Sequence, residues 1–469
     1  MSTIAPLRAL RTPAAQMAAG MMVFAGSGYA FVVLAGRALP KDQATLATSV
    51  YFLVNVIGPG VFFALEQVAS RTTAATLATS GELGLVARRA YRSGLRLLAA
   101  VIAGMAALAP LVGAKTLHGD WPLYAVVLTM PVISLHLHLA RGRLAGMQRF
   151  GGYAATLAVE GGGRVVLCLL AALAGAASAW LFGLAYIVPS AVAAGYGLLA
   201  ARRAGRRSAT SAVPAGMPTA SGDLGRGMAA LALASLFSQL LPNLAPLAVN
   251  SRLPTSSAAA LAFSQAAVVA RIPLLLFLPI QAMILPGLSA AAARGDLAAV
   301  RAKARQVLAV TTGVGLAGAL AFVLLGSWAL RIFFGTTEPV ARDVLLMLAL
   351  STVVLMAAYT LQPALVAVGG DRAVMAGWAA GSVVTGTVAL LPFAAVPAAG
   401  AGQMLGPALT VAVLGGALVM RLRRPLARPR PEGLPAGPLA SRAQRPAGKR
   451  AGKSQVGGRQ RPGRGLHRV

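Results

Sequence analysis

Residues 39–89 read LPKDQATLATSVYFLVNVIGPGVFFALEQVASRTTAATLATSGELGLVARR, and residues 253–303 read LPTSSAAALAFSQAAVVARIPLLLFLPIQAMILPGLSAAAARGDLAAVRAK. Laid over each other without a gap, at an offset of 214 residues, they share Leu39-Pro40 with Leu253-Pro254, Pro59 with Pro273, Phe63 with Phe277 and Gln67 with Gln281. The register continues through Gly81-Glu82-Leu83 against Gly295-Asp296-Leu297 and through Val86 and Arg89 against Val300 and Lys303. Matches among Ala and Leu are common in an apolar chain, but matched Pro, Gln and Gly-acid-Leu positions are not. The chain is therefore an internal duplication.

Around this repeat the composition sets the class. Of 469 residues, 57% are hydrophobic, with a mean hydropathy of +0.73, well above soluble domains. A membrane helix needs about 20 apolar residues. Such runs lie near 14–36, 44–69, 95–114, 121–140, 153–175, 178–200, 227–249, 257–287, 307–331, 343–368, 373–394 and 400–420. The first follows Arg8 and Arg11 but is too long for a signal-peptide core and leads into another apolar run, so it reads as a membrane helix. The prediction is an all-α, polytopic membrane protein of about twelve transmembrane helices in two pseudo-symmetric six-helix lobes. An offset of six helices preserves orientation, so the lobes are parallel repeats, an arrangement found among transporters.

The charges supply an independent check. With the N-terminus inside, the cytoplasmic segments before the tail hold 20 of the 42 Lys and Arg residues and the opposite loops hold 6. This asymmetry predicts both termini on the cytoplasmic side. The organisation expected is a first lobe over 1–200, a cytoplasmic linker over 201–226 that needs no structure, a second lobe over 227–421 and a disordered basic tail over 422–469. The tail suits anionic membrane lipids; docking to an acidic partner or an enzyme of the same pathway is the alternative. Nothing resembles a nucleic-acid reader.

Ionisable groups at helix depth are candidate functional groups, because they are expensive in hydrocarbon. Arg271 lies two residues before Pro273, which breaks a backbone bond and bends the helix; it is expected to line a central cavity and receive an anion, or else to hold a helix end. Glu160 and Arg164 stand four apart across Gly161-Gly162-Gly163, either a self-neutralised pair or a gating, substrate-facing pair. Glu66 reads as paired to Arg71 or as the carrier of a coupling proton. Gln67 and Gln281, matched in the repeat, read as facing the pseudo-axis or as packing between helices, and Pro59 and Pro273 as hinges. The single cysteine, Cys168, excludes a disulfide framework. No nucleotide-binding loop or hydrolase motif occurs, and His136 and His138 point to different faces. No metal, cofactor or enzymatic activity is expected.

Several stretches together resemble the multidrug, oligosaccharidyl-lipid and polysaccharide (MOP) exporter superfamily, and within it the Wzx-type polysaccharide flippases. They are Gly28-Tyr29-Ala30-Phe31 through Ala35-Gly36-Arg37, Glu66 to Arg71, Arg141 to Phe150 with Tyr153 and Arg164, and Leu285-Pro286-Gly287-Leu288-Ser289 followed by Gly295-Asp296. The resemblance covers roughly residues 14–420. It implies two lobes rocking around a cationic cavity in the bacterial cytoplasmic membrane, and a lipid-linked glycan on polyprenyl pyrophosphate carried from inner to outer leaflet. Polysaccharide-assembly enzymes are the implied protein partners. Guanidinium groups suit a pyrophosphate, which puts Arg271 first, Arg37 and Arg164 behind it, and Arg252 fourth. The hydrophilic tail departs from the lipid II flippases, which carry two further helices. The multidrug exporters use an acid in the first lobe, and none is found in the first helix here. Drug export and a non-transporting membrane scaffold are the alternatives.

Overall fold

The computed structural model describes residues 12–78, 82–209, 224–275, 291, 294–336 and 339–423. The compact unit spans Met1–Pro425; the segment beyond it, Leu426–Val469, lies outside the described residues, as does the expected tail. Within the first lobe the helices are α1 (Pro13–Ala38), α2 (Lys41–Ala78), α3 (Leu83–Ala107), α4 (Trp121–Gly146), α5 (Phe150–Leu173) and α6 (Ala179–Ala209). The second lobe holds α7 (Leu224–Arg252), α8 (Ala258–Val269), α9 (Leu297–Phe334), α10 (Arg342–Ala367), α11 (Asp371–Ala389) and α12 (Ala395–Arg423).

The repeat is visible in how helices start and stop. Gly295 takes a left-handed φ of 71°, and Asp296 then caps α9 by accepting from the Ala299 N–H at 2.8 Å. An acid after a glycine is what such a helix start requires, which accounts for the Gly-acid-Leu match. Glu82 occupies the same cap position of α3 without a side-chain bond. The two prolines behave differently. Pro59 lies inside the unbroken α2, whereas before Pro273 the helix ends at Val269. The chain turns there, with the Arg271 N–H on Val268 O and the Leu274 N–H on Arg271 O. Proline cannot donate to the carbonyl four residues back, and here the ladder gives way.

Among the described residues ten helices are long and apolar enough to cross a membrane, or eleven if α3 and the π-helical turn Pro110–Thr116, bent by 54°, form one span. Twelve spans were expected; the Gly-, Ser- and Thr-rich α11 falls short on apolarity among the described residues. Three further differences concern boundaries. The linker was expected to begin at 201, but α6 continues to Ala209; α7 begins at Leu224, and 210–223 lie outside the described residues. Arg88, Arg89, Arg92 and Arg96 were assigned to a loop and its edge, yet lie within α3. Arg141 was likewise counted among loop cations, but belongs to α4 and is buried.

One apolar core joins both lobes. Phe31, Val50 and Phe182 of the first lobe pack with Val249, Phe263 and Phe334 of the second, toward the end of the bundle where α1 meets α2. Toward the other end, Leu144, Met147 and Leu157 form a first-lobe cluster, and Leu365, Trp378 and Leu414 a second-lobe cluster.

Candidate functional site

Between the lobes lies a cavity of about 250 Å³. Phe24 and Tyr29 of α1, Tyr51 and Asn55 of α2, Arg164 of α5 and Tyr186 of α6 line one side. Gln239, Pro242 and Asn243 of α7, Arg271 and Leu274, and Tyr359 of α10 line the other. Four of the chain's 8 tyrosines thus converge on one cavity.

Its second-lobe wall is built on freed main chain. α7 contains Pro242 and Pro246, and a helical proline leaves the carbonyl four residues earlier without its donor. Those carbonyls are Ser238 O and Pro242 O. The Tyr359 hydroxyl donates to Ser238 O at 3.0 Å, and the Arg271 guanidinium donates to Pro242 O. Arg271 also donates to Asn243 Oδ1 at 3.2 Å and lies 5.7 Å from the centroid of the Phe52 ring. No carboxylate neutralises Arg271 among the described ion pairs.

Arg164 is placed differently. Its guanidinium donates to Glu160, to Ser190 Oγ at 3.1 Å and to Tyr186 O at 3.2 Å, and it lies 4.1 Å from the Tyr186 ring centroid. The other Glu160 oxygen accepts from Arg141 at 2.6 Å, and Ser190 Oγ donates to the first at 2.7 Å. Glu160 therefore serves two arginines, where the sequence reading allowed one. Two of the three glycines between Glu160 and Arg164, Gly161 and Gly163, make room for this. A Cβ on Gly161 would lie 2.8 Å from Phe24 Cα, and one on Gly163 2.9 Å from Pro189 Cβ. α5 stays unbroken, so these glycines serve close packing.

Glu66 is not paired to Arg71, which is exposed. Instead its carboxylate bonds His138 Nδ1 at 2.7 Å and accepts from the Tyr153 hydroxyl at 2.5 Å. His138 and Arg141 are three apart on α4, one helical face, so α4 supplies the partners of both buried acids.

Arg37 does not line the cavity. At the end of α1 it donates to Phe333 O at 3.0 Å and to Ile332 O, capping α9 across the lobe boundary, where a cation is favoured by the helix dipole. His118 Nε2 donates to Asn250 O at 2.8 Å, and Asn250 donates to Ser49 Oγ at 2.9 Å, adding two more ties at that end. Arg252 donates to Ala389 O at 2.8 Å and Phe393 O at 2.5 Å, closing α11 within its own lobe. Gln67 is partly exposed and outside the cavity lining, and Gln281 lies outside the described residues. No group of three or more metal-ligating side chains occurs among the described residues.

The sequence reading missed the tyrosines, His138 and Arg141. The signals were present: tyrosines within apolar runs, a His-x-x-Arg spacing on α4, and prolines four apart on α7.

No family model matches this sequence, and no curated protein does. Solved structures match the fold. An inward-facing multidrug resistance MATE family transporter of the MOP superfamily has a TM-score of 0.66 at 12% identity, covering 86% of this chain and 95% of its own. The lipid II flippase MurJ, in an inward closed conformation, has a TM-score of 0.64 at 9% identity, covering 87% and 88%. An outward-facing MATE transporter has a TM-score of 0.60 at 15% identity, covering 88% and 97%. The chain shares the fold of these three membrane transporters.

Proposed function

We propose that this chain is a membrane transporter that carries a polyprenyl-pyrophosphate-linked oligosaccharide from the inner to the outer leaflet for cell-surface polysaccharide synthesis. One observation carries the reading: Arg271, in a cavity between two lobes, is held by carbonyl and amide oxygens and by no described carboxylate. A cation placed there without a counter-charge calls for an anion from outside the protein. Arg164 faces the same cavity with its charge shared with Glu160, so the two lobes each present a guanidinium to a bridging diphosphate. The tyrosine rings and the Asn55, Gln239 and Asn243 amides suit the apolar faces and hydroxyls of sugar rings. No acid lines the cavity among the described residues, which disfavours a cationic drug as cargo.

The arginine asymmetry puts the Arg37 end outside. The common core and the Arg37 cap then hold the outer side shut, and rocking of the lobes must break them. Glu66, bridged to His138 and Tyr153, is assigned the coupling proton. Glu160, held by two arginines, is assigned the fixed counter-ion. The fold it shares with a multidrug transporter supports a second reading, export of a soluble anionic compound.

The test is mass spectrometry of lipid-linked sugars in cells depleted of this protein, complemented with wild type, Arg271→Lys or Arg271→Leu. Accumulation of a lipid-linked oligosaccharide on the cytoplasmic leaflet, reversed by wild type, partly by Lys and not by Leu, is expected. A charged hydrogen bond contributes about 1.5–3 kcal/mol, so Leu loses roughly 10- to 100-fold in affinity. Full complementation by the Leu variant overturns the assignment of Arg271. An unchanged lipid-linked pool on depletion, with no second flippase present, overturns the cargo.

A further inference from the structure

The arginines of α3 serve neither the cavity nor any described partner. Ala90 and Gly94 face the bundle: a Cβ on Gly94 would lie 2.4 Å from Leu135 Cδ1 and 3.0 Å from Leu65 Cδ2. On the opposite face Arg88, Arg92 and Arg96 stand at successive spacings of four, a single row along the helix, with Arg89 beside them; all four are exposed. They span about 12 Å of helix axis at 1.5 Å per residue. None takes part in a described ion pair or side-chain hydrogen bond. The nearest acid in sequence, Glu82, makes no cap bond.

Beyond Arg96 the same face changes character abruptly. Ala99, Ala103, Ala106 and Ala107 are exposed and carry no polar atoms in their side chains. Leu95 and Tyr91, 42% and 40% exposed, flank the arginines. The face is thus basic over its first half and apolar and shallow over its second. A free phosphate uses only the first half. An amphiphile lying along the helix uses both: its anionic headgroup on the guanidiniums, which pair with phosphate oxygens two at a time, and an acyl chain on the alanines.

A general excess of positive charge on one side of the membrane does not account for this pattern, because the repeat-mate lacks it. At the corresponding start of α9 only two cations, Arg301 and Arg305, stand four apart, with Lys303 on the other side of the helix, and Arg301 donates to Leu422 O at 3.4 Å. We propose that the outward face of α3, Arg88 to Ala107, is a binding site for an anionic glycerophospholipid, separate from the cavity and independent of its cargo.

The experiment uses the full chain, purified in neutral detergent and titrated with phosphatidylglycerol or phosphatidylcholine, with retained lipid counted by native mass spectrometry. Arg88→Gln/Arg92→Gln/Arg96→Gln is compared with a tail control, Arg442→Gln/Arg445→Gln/Arg450→Gln. On the scale known for basic residues at a charged membrane surface, losing three arginines lowers phosphatidylglycerol affinity on the order of 100-fold. Phosphatidylcholine retention is expected to stay at the wild-type level, and the tail control to lose far less phosphatidylglycerol than the α3 variant. Arg88→Lys/Arg92→Lys/Arg96→Lys, which keeps the charge, is expected to retain most of the binding and covers the case in which the Gln variant does not fold. Unchanged phosphatidylglycerol retention in the Gln variant overturns the site. Glycerol phosphate that competes as strongly as the whole lipid overturns the acyl-chain half and leaves a phosphate site only. An acidic peptide that displaces bound lipid at lower concentration than phosphatidylglycerol itself overturns the choice of a lipid as occupant.

Discussion

Replacing Glu160 by Gln keeps the shape of the side chain and removes the one charge that two buried guanidiniums share. Glu160, Arg141 and Arg164 are 2%, 4% and 3% exposed, so solvent cannot make good the loss. Removing one partner of a buried pair costs about 3–5 kcal/mol, a large share of the roughly 5–15 kcal/mol that holds a typical folded protein together. Glu160→Gln is therefore expected to melt far below wild type, measured by fluorescence-detected gel filtration after heating in detergent. The charge count supplies a sharper test. Glu160 sets one negative charge between the two positive charges of Arg141 and Arg164; Glu160→Gln leaves the two guanidiniums facing each other, and adding Arg141→Gln removes one of them. The double variant is expected to recover part of the loss, with a coupling of about 0.5–3 kcal/mol as found for groups in one network. A double variant that melts at or below the weaker single variant refutes the argument that Glu160 acts as a shared counter-ion.

Arg37→Met removes the cap on Ile332 and Phe333; in a Cys168→Ser/Gln265→Cys background it is expected to speed maleimide labelling of residue 265, which is 2% exposed, and an unchanged rate would refute the latch. Gly142→Val places a side chain where a Cβ already meets Glu66 O at 2.5 Å and is expected to abolish the monodisperse gel-filtration peak. Gly162→Ala has open space around it and is expected to raise the melting point, by about 0.5–1 kcal/mol of helix preference; the reverse order of the two would overturn the packing account. Glu66→Gln, in transport assays with and without an imposed proton gradient, is expected to abolish the gradient's effect while detergent-phase cargo binding survives. Persistence of gradient dependence would move the coupling proton elsewhere.

The helical duplication was legible because it rests on one-dimensional signals, runs of apolar residues and prolines in register. The Glu160–Arg164 pair was legible for the same reason, being local to one helix. What escaped depends on contacts between helices remote in sequence. Glu66 bonds His138 and Tyr153, 72 and 87 residues away, while its neighbour Arg71 points out. Arg37, read as a cavity cation, reaches a helix end 296 residues away. Arg141 counted as a loop cation because the apolar run stops near residue 140, yet α4 continues and its partners make burial tolerable.

The proline pair of α7 makes part of the cavity invisible to ordinary mutagenesis. Tyr359 and, apart from its bond to Asn243 Oδ1, Arg271 are oriented by main-chain acceptors that every residue type presents equally, so exchanging Ser238 for another side chain leaves its acceptor in place. Alanine at the positions of the two carbonyls' neighbours, prolines aside, would understate the importance of α7. The informative replacements are Pro242→Ala and Pro246→Ala, each of which returns an amide proton to the helix and lets the ladder reclaim the oxygen. A straighter, more regular helix would then be the less competent one.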